Sequence, residues 1–271
     1  MASIKVRSPD GVTLSAQEWG NPNGREIVFI HGFNQSHMSW QRQYTDAALA
    51  AHFRMITFDL RGHGGSDKPV YMNAYADDKI WADDVAAIFA AFNLKRPVLV
   101  GWSYAGRVMA DYLRVYGADK LAAMNFVSAR SGTDPKFFGT ARKHFTAMKS
   151  EDLAENIEGT RAFLRACFER QPSEEDFEFM LGFNMVVPAY ARTGILARTP
   201  DTAEAISKIS IPVLITHGAA DQIILRAMGD FTAATIKGSK LSVYDGVGHS
   251  PFWEDAARFN RELAELVEGA N

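Results

Sequence analysis

The sequence predicts an α/β fold: a mostly parallel, doubly wound sheet of about eight strands with helices on both faces. Short, continuous apolar runs recur along the chain, as is typical of strands that are buried on both faces. Segments with apolar residues at helical spacing separate these runs. The 271 residues, 47% of them hydrophobic, favour one elaborated domain over two.

The predicted elements follow one another along the chain. Residues 3–7 and 13–19 flank Pro9-Asp10-Gly11, which predicts an antiparallel hairpin at the edge of the sheet. Buried strands are then predicted at 27–30, 54–58, 97–100, 124–127, 211–216 and 241–244. Helical spacing is clearest at 81–92 and at 252–266, where it predicts one continuous last helix.

One stretch breaks this alternation. From about residue 130 to 210 the sequence has helical patterns and repeated Pro and Gly, but no buried strand. We therefore predict a core of residues 1–130 and 206–271, interrupted by a helical cap at 131–205. A second helical layer packed on the core is the alternative. The insertion holds eight of the 18 phenylalanines, which favours an apolar pocket beneath a cap.

The composition excludes several classes of protein. With 29 Lys+Arg against 32 Asp+Glu, the net charge of −3 gives no basic face for nucleic acid. The single cysteine, Cys167, cannot form an internal disulfide or a thiolate metal cage, and we interpret it as a packed residue in a reducing compartment. Because there is no signal-peptide pattern and no apolar run of about 18 residues, we expect a cytoplasmic protein with no membrane segment. The carboxylates Asp77, Asp78, Asp83 and Asp84 are interpreted as a solvent-exposed helix face.

The most informative segment is Val98-Leu99-Val100-Gly101-Trp102-Ser103-Tyr104-Ala105-Gly106-Arg107-Val108. An apolar strand runs into small residues around a serine and then into a helical pattern. A serine at such a sharp turn is forced outward on a strained backbone. The segment resembles the nucleophile elbow of the α/β-hydrolase superfamily, with Ala105 where the commonest pattern has glycine. This resemblance implies that Ser103 is the nucleophile, and a helix N-cap serine is the alternative.

The resemblance extends to the turn after the first buried strand, His31-Gly32-Phe33. It implies that the backbone N–H groups of Phe33 and Tyr104 form the oxyanion hole, where two fixed donors stabilise the negative charge that develops in acyl transfer. Phe33 and Trp102 are expected to contact the substrate, and His31 to make hydrogen bonds beneath the site.

A second family-like turn, Asp59-Leu60-Arg61-Gly62-His63, follows the next strand. Its polar side chains are expected to brace loops, with no catalytic role.

A serine nucleophile needs a base, and the base needs a carboxylate to orient it. The family order of serine, acid and histidine implies Asp221 as the acid and His249 as the base. Each follows a predicted strand, at the end of the sheet where open α/β folds bind their ligands. Asp245 and Asp134 are the rival candidates for the acid.

The identity of the nucleophile limits the classes of reaction that the protein can catalyse. Haloalkane dehalogenases and epoxide hydrolases carry aspartate at this position, so Ser103 argues against both. The chain resembles capped small esterases and acyl-homoserine lactonases, which implies a serine hydrolase that cleaves an ester or lactone of a small, largely apolar substrate through an acyl-serine. Such a cycle needs neither metal nor cofactor, and a monomer or weak homodimer suffices. The near-neutral net charge favours a neutral or weakly charged substrate.

Two alternatives remain open. Carbon–carbon bond hydrolases and cofactor-free haloperoxidases, or perhydrolases, share these motifs. A protein of another class, a small-molecule receptor with vestigial hydrolysis, resembles the chain across 31–40.

Overall fold

The computed structural model describes residues 3–270. Eight strands within this range form one sheet. The strands are β1 Ser3–Arg7, β2 Thr13–Gly20, β3 Arg25–Ile30, β4 Phe53–Phe58, β5 Val98–Trp102, β6 Ala123–Val127, β7 Val213–Gly218 and β8 Lys240–Tyr244. Their order across the sheet is β1-β2-β4-β3-β5-β6-β7-β8. The β1–β2 and β2–β4 pairs are antiparallel and every other pair is parallel. The predicted α/β fold is confirmed.

Helices connect these strands. They are α1 Gln41–Tyr44, α2 Ala47–His52, α3 Asp78–Ala91, α4 Ala105–Tyr116, α5 Phe145–Met148, α6 Leu153–Ala166, α7 Glu174–Met185, α8 Ala189–Ala197, α9 Ala203–Ser207, α10 Arg226–Thr235, α11 Pro251–Glu254 and α12 Ala256–Gly269. Short 3-10 turns lie at His37–Trp40, Met72–Tyr75, Pro135–Phe137 and Thr140–His144. Within residues 3–270, none of the helices has the length and apolar character to cross a bilayer.

The central strands determine where a site can form. All five residues of both β5 and β6 are buried, as expected for parallel strands covered on both faces. In the parallel register Ile30 pairs with Gly101, and Trp102 pairs with Val127. The carboxyl ends of β3, β5 and β6 therefore meet at one edge, which is where open α/β sheets bind ligands. β5 ends at Trp102, two residues later than predicted.

The spacing over 252–266 predicted one continuous last helix. The structure instead has two helices there. They are divided at Asp255, whose backbone leaves the helical region (φ −135°, ψ 58°). The Asp255 carboxylate accepts a hydrogen bond from the N–H of Arg258 at 3.4 Å and so caps α12. A local cap therefore ends α11 although the apolar spacing continues.

Helices α5 to α9 fill the chain between β6 and β7, where no strand occurs. The boundary predicted at residue 205 falls inside α9, which packs against α4. The division into a core and a cap stays a prediction.

The acidic stretch in and before α3 is not a uniformly exposed face. Asp77 is exposed, but Asp83 and Asp84 are buried. Asp84 is fully buried because both of its oxygens accept hydrogen bonds from the Arg61 guanidinium at 2.7 Å. The prediction of a solvent-exposed face was wrong for Asp83 and Asp84.

Candidate active site

Ser103 lies between the end of β5 and the start of α4, with a backbone φ of 57°. A positive φ is uncommon for a residue with a side chain and costs about 1 kcal/mol or more. The Ser103 N–H donates to Val127 O at 3.0 Å, and its carbonyl accepts from the N–H groups of Gly106 at 3.0 Å and Arg130 at 2.8 Å. The sheet and the loop after β6 together hold the serine in a strained turn.

Small residues make room for this turn. A methyl group on Gly32 would lie 3.0 Å from Cβ of Ser103, and one on Gly106 would lie 2.7 Å from the carbonyl oxygen of Arg130. Ala105 is fully buried, so its single methyl group is accommodated where the commonest family pattern has glycine. The position requires a small side chain, and alanine meets that requirement.

The second feature is a buried histidine–aspartate pair. His249 Nδ1 lies 2.7 Å from Asp221 Oδ2 and donates to it, since an ionised carboxylate only accepts. Asp221 Oδ1 accepts from the N–H groups of Ile223 at 2.8 Å and Ile224 at 3.0 Å. Burial alone would raise the pKa of Asp221, but His249 and His217 hold that pKa well below its ordinary value. The carboxylate is therefore charged and fixed.

His249 Nε2 points into a buried space and has no hydrogen-bond partner among residues 3–270. In the neutral tautomer that Asp221 selects, Nε2 is a free acceptor. The Ser103 hydroxyl likewise bonds to no described side chain. The rival carboxylates lie elsewhere: Asp245 is exposed, and Asp134 accepts from the N–H of Lys136. Of the three candidates, only Asp221 contacts His249.

The sequence predicted no role for His217. It is the fifth residue of β7, and its Nε2 lies 2.9 Å from the carbonyl oxygen of Ile224 and 3.5 Å from Asp221 Oδ2. It therefore holds the loop that carries Asp221. Its place near the carboxyl end of a strand is the signal that could have identified it.

Phe33 and Tyr104 line the same cavity as Ser103. Neither backbone N–H finds an acceptor in the described chain, residues 3–270. Two unpaired amides beside a serine are the donors that an oxyanion hole requires.

Two neutral histidines shape the loop that carries Phe33. His31 Nε2 accepts from the N–H of Leu60 at 3.0 Å, and His63 Nε2 accepts from the N–H of Asn34 at 3.1 Å. Burial lowers the pKa of His31 to about 4 and that of His63 to about 3, so both rings are uncharged at neutral pH. Their role is structural, as the sequence predicted for His31.

Trp102 lies on the other side of the serine. Its Nε1–H donates to the carbonyl oxygen of His249 at 2.8 Å, and its ring centroid lies 4.8 Å from that of Phe252. It lines a separate small cavity, not the one that Ser103 lines. The predicted contact of Trp102 with the substrate stays a prediction.

The cavity at Ser103 has about 370 Å³ of empty space, including open solvent at its mouth. Its apolar walls are Phe33, Phe138, Phe145, Leu196, Ile223 and Ile224. Arg130 and Arg142 also line it, and sequence reasoning missed both. Arg130 comes three residues after β6, at the ligand-binding edge of the sheet, and that position could have identified it.

Comparison with known proteins agrees with this fold. Residues 26–256 match the family model for the α/β-hydrolase fold. A structure from Burkholderia cenocepacia, provisionally described as an aryl esterase, has a TM-score of 0.95 and 36% identity, with 98% of each chain covered. The esterase RhEst1 from Rhodococcus sp. ECU1013 has a TM-score of 0.93 and 32% identity over 100% of both chains. A non-heme chloroperoxidase, CPO-A1 of Kitasatospora aureofaciens, is 30% identical over 275 residues, 95% of this chain and 97% of that protein.

The fold and the site define a class of enzymes built on an open, mostly parallel sheet with the reactive serine after a central strand. The chain belongs to the α/β-hydrolase family.

Proposed function

We propose that this protein is a serine hydrolase that cleaves the carboxylic ester or lactone bond of a small, largely apolar substrate through an acyl-serine intermediate. Two observations carry the proposal: the buried His249–Asp221 pair, in which Nε2 of His249 is unpartnered, and a serine held at positive φ after β5. The similarity to two esterase structures supports ester bonds as the target.

The chemistry follows from the groups present. His249 Nε2 takes the proton of Ser103 as Oγ attacks the carbonyl carbon, and Asp221 stabilises the imidazolium. The N–H groups of Phe33 and Tyr104 donate to the oxyanion. His249 then gives the proton to the leaving alcohol, which stays attached to the acyl group if the substrate is a lactone. A water molecule deprotonated by His249 releases the acid and restores Ser103.

The hydrogen bond between Ser103 and His249 forms during this cycle. Catalytic hydrogen bonds are commonly long before a substrate binds and close in the complex. In the same proposal, residues 131–205 form a cap over the core of 1–130 and 206–271, and its residues Phe138, Phe145 and Leu196 supply one wall of the cavity.

The test is Ser103→Ala with p-nitrophenyl acetate as substrate. We expect kcat to fall by about 10³-fold or more while the far-ultraviolet circular dichroism spectrum is unchanged. Residual turnover above about a tenth of the wild-type rate would exclude Ser103 as the nucleophile.

Ser210→Ala is the matched control, because Ser210 is exposed and lies outside the cavity. A fluorophosphonate probe is expected to label the wild-type protein and Ser210→Ala, but not Ser103→Ala. Rapid labelling of a protein that turns over no ester would support the receptor alternative instead.

A second candidate is the perhydrolase reaction, which the 30% identity to a non-heme chloroperoxidase favours. Hydrogen peroxide would replace water in the attack on the acyl-serine and release a peracid. Peracetic acid formed from p-nitrophenyl acetate and peroxide measures this reaction against acetate release. If water attack dominates at millimolar peroxide, the protein is a hydrolase.

A further inference from the structure

Arg130 and the solvent-exposed Arg142 line the Ser103 cavity. A third arginine, Arg107, is 1% exposed and lies close enough to lower the pKa of Arg130. No carboxylate lies within 4.0 Å of any of the three among residues 3–270. None of the three therefore forms an ion pair within the described chain.

The hydrogen-bond donors of this group are also unfilled. Nη1 of Arg107 donates to the carbonyl oxygen of Arg198, but its Nη2 is buried without a partner. Nε of Arg130 is buried without a partner too, in the described part of the chain. An unpaired buried donor costs about 1–3 kcal/mol, and more when it is charged. A bound ligand that supplies the missing acceptor would offset this free-energy cost.

The two cavity arginines are held in place by the fold. The backbone N–H of Arg130 donates to the carbonyl oxygen of Ser103, which fixes it next to the nucleophile. Both guanidiniums contact the ring of Phe138, that of Arg130 at 4.6 Å and that of Arg142 at 4.5 Å from the ring centroid. Stacking of this kind orients a planar guanidinium without using its N–H donors. The donors stay available to the cavity.

Electrostatics disfavours three cations at this place without an anion. Burial, followed by the charges of Arg107 and Arg142, lowers the pKa of Arg130 to about 9. Burial lowers the pKa of Arg107 to about 10. Arginine stays protonated at neutral pH nonetheless. An anion bound between these groups would relieve their mutual repulsion.

We propose that Arg130 and Arg142 form a subsite for a carboxylate group on the substrate, so that the preferred substrates are small esters or lactones that carry one free carboxylate. This proposal rests on the serine hydrolase function proposed above and specifies its substrate class. The apolar walls would hold the carbon chain and the arginines its charged end, because planar guanidiniums match carboxylates in geometry. The neutral substrate expected from the net charge is replaced by an anionic one.

The first test compares two esters of the same shape. Monoethyl glutarate carries a carboxylate where ethyl 5-methylhexanoate carries an isopropyl group. We expect the wild-type ratio of kcat/KM, charged over neutral, to exceed one. The ratio is expected to fall about tenfold or more in Arg130→Gln and Arg142→Gln, and less in Arg130→Lys. Because kcat/KM does not include product release, this ratio excludes a role for the arginines in holding the product alone.

Arg261→Gln is the matched control, since Arg261 is exposed on α12 and its loss changes the net charge equally. Its ratio is expected to equal that of the wild type. A ratio below one in the wild type, or a ratio that Arg130→Gln and Arg261→Gln alter equally, would overturn the subsite.

A binding experiment separates this proposal from the serine hydrolase function. Titration calorimetry of glutarate into Ser103→Ala needs no turnover. We expect glutarate to bind, and the added Arg130→Gln change to weaken it about tenfold. Binding that does not depend on Arg130 would refute the subsite even if the ester is hydrolysed. Glutarate binding without ester hydrolysis would refute the hydrolase function and retain the carboxylate site.

Discussion

Two groups of arginines are shielded from solvent in this fold. The first is Arg61, which pairs with carboxylates, and the second is Arg107 and Arg130, which do not among the described residues. Arg61 is fully buried and pairs with both oxygens of Asp84 at 2.7 Å and with Asp10 at 2.7 Å. Arg107 and Arg130 have no carboxylate within 4.0 Å in the described chain. The positive charge of Arg61, which joins loops, is thus neutralised by carboxylates. The charges near the Ser103 cavity have no carboxylate partner in the part of the chain that the structure describes.

Arg192 shows that a missing carboxylate does not by itself mark a binding site. It is fully buried and has no acidic partner, but it donates to four neutral oxygens. Those acceptors are Met148 O, Asn156 Oδ1, Thr160 Oγ1 and Asn184 O. Its donors are therefore largely satisfied within the α5–α8 region. Arg130 differs because its side chain has no hydrogen-bond acceptor among residues 3–270.

At pH 7 the largest expected effect comes from removing the neutralising acid of the first group. Asp84→Asn leaves Arg61 buried with Asp10 as its only acidic partner. We expect the free energy of unfolding to fall by about 3 kcal/mol, because breaking a buried pair leaves an uncompensated charge. Urea denaturation at pH 7 measures it.

Asp119→Asn is the control, since Asp119 is exposed and the change removes the same charge. Its effect is expected to stay within about 0.5 kcal/mol. Equal effects of Asp84→Asn and Asp119→Asn would mean that neutralisation does not hold Arg61 in place, and the comparison of the two groups would fail.

A third way to avoid buried charge is to keep a group neutral, as His31 and His63 do. The unfolded chain binds a proton at each histidine near pH 6.5, whereas the folded protein does so only near 4 for His31 and near 3 for His63. Below pH 6.5 the unfolded state therefore holds more protons. We expect stability to fall as the pH drops from 6.5 toward 4, by about 1.4 kcal/mol per pH unit for each histidine.

Urea denaturation across this pH range gives the slope. His63→Gln is expected to lower the slope of stability against pH by the contribution of one histidine. His52→Gln is expected to leave the slope unchanged, because His52 is exposed. A slope that His63→Gln leaves intact would assign the acid sensitivity to other groups.

Much of this fold could be predicted from the sequence because parallel strands are continuous apolar runs. The break at Asp255 could not, since the apolar spacing continues across it, although the backbone leaves the helical region there and the Asp255 carboxylate caps the next helix. The burial of Asp84 was missed for a related reason. Its carboxylate is indistinguishable from an exposed one until Arg61, from a loop 23 residues away, is placed on it.

The candidate site divides in the same way. Ser103, Asp221 and His249 could be selected from local turns and their order along the chain, and the structure brings Asp221 and His249 into contact. Arg130 could have been selected only by its position just after β6. Arg142 could not be selected, because no local pattern tells which side chains of separate segments face one cavity. The sequence therefore predicted the histidine–aspartate contact better than the arginines that line the cavity.

The smallest expected effect is on the stability of the second group, and it completes the comparison. Arg130→Met removes a cation without leaving an acid unpaired, and methionine can keep the contact with Phe138. We expect the free energy of unfolding to change by about 1 kcal/mol or less, because replacing an unpaired buried charge by an apolar side chain is often neutral or stabilising. Arg61→Met, measured by the same urea denaturation, should cost about 3 kcal/mol because it strands Asp84 and Asp10. Equal losses of unfolding free energy in the two variants would mean that Arg130 has a structural role. Its unpaired hydrogen-bond donors would then not indicate a binding site.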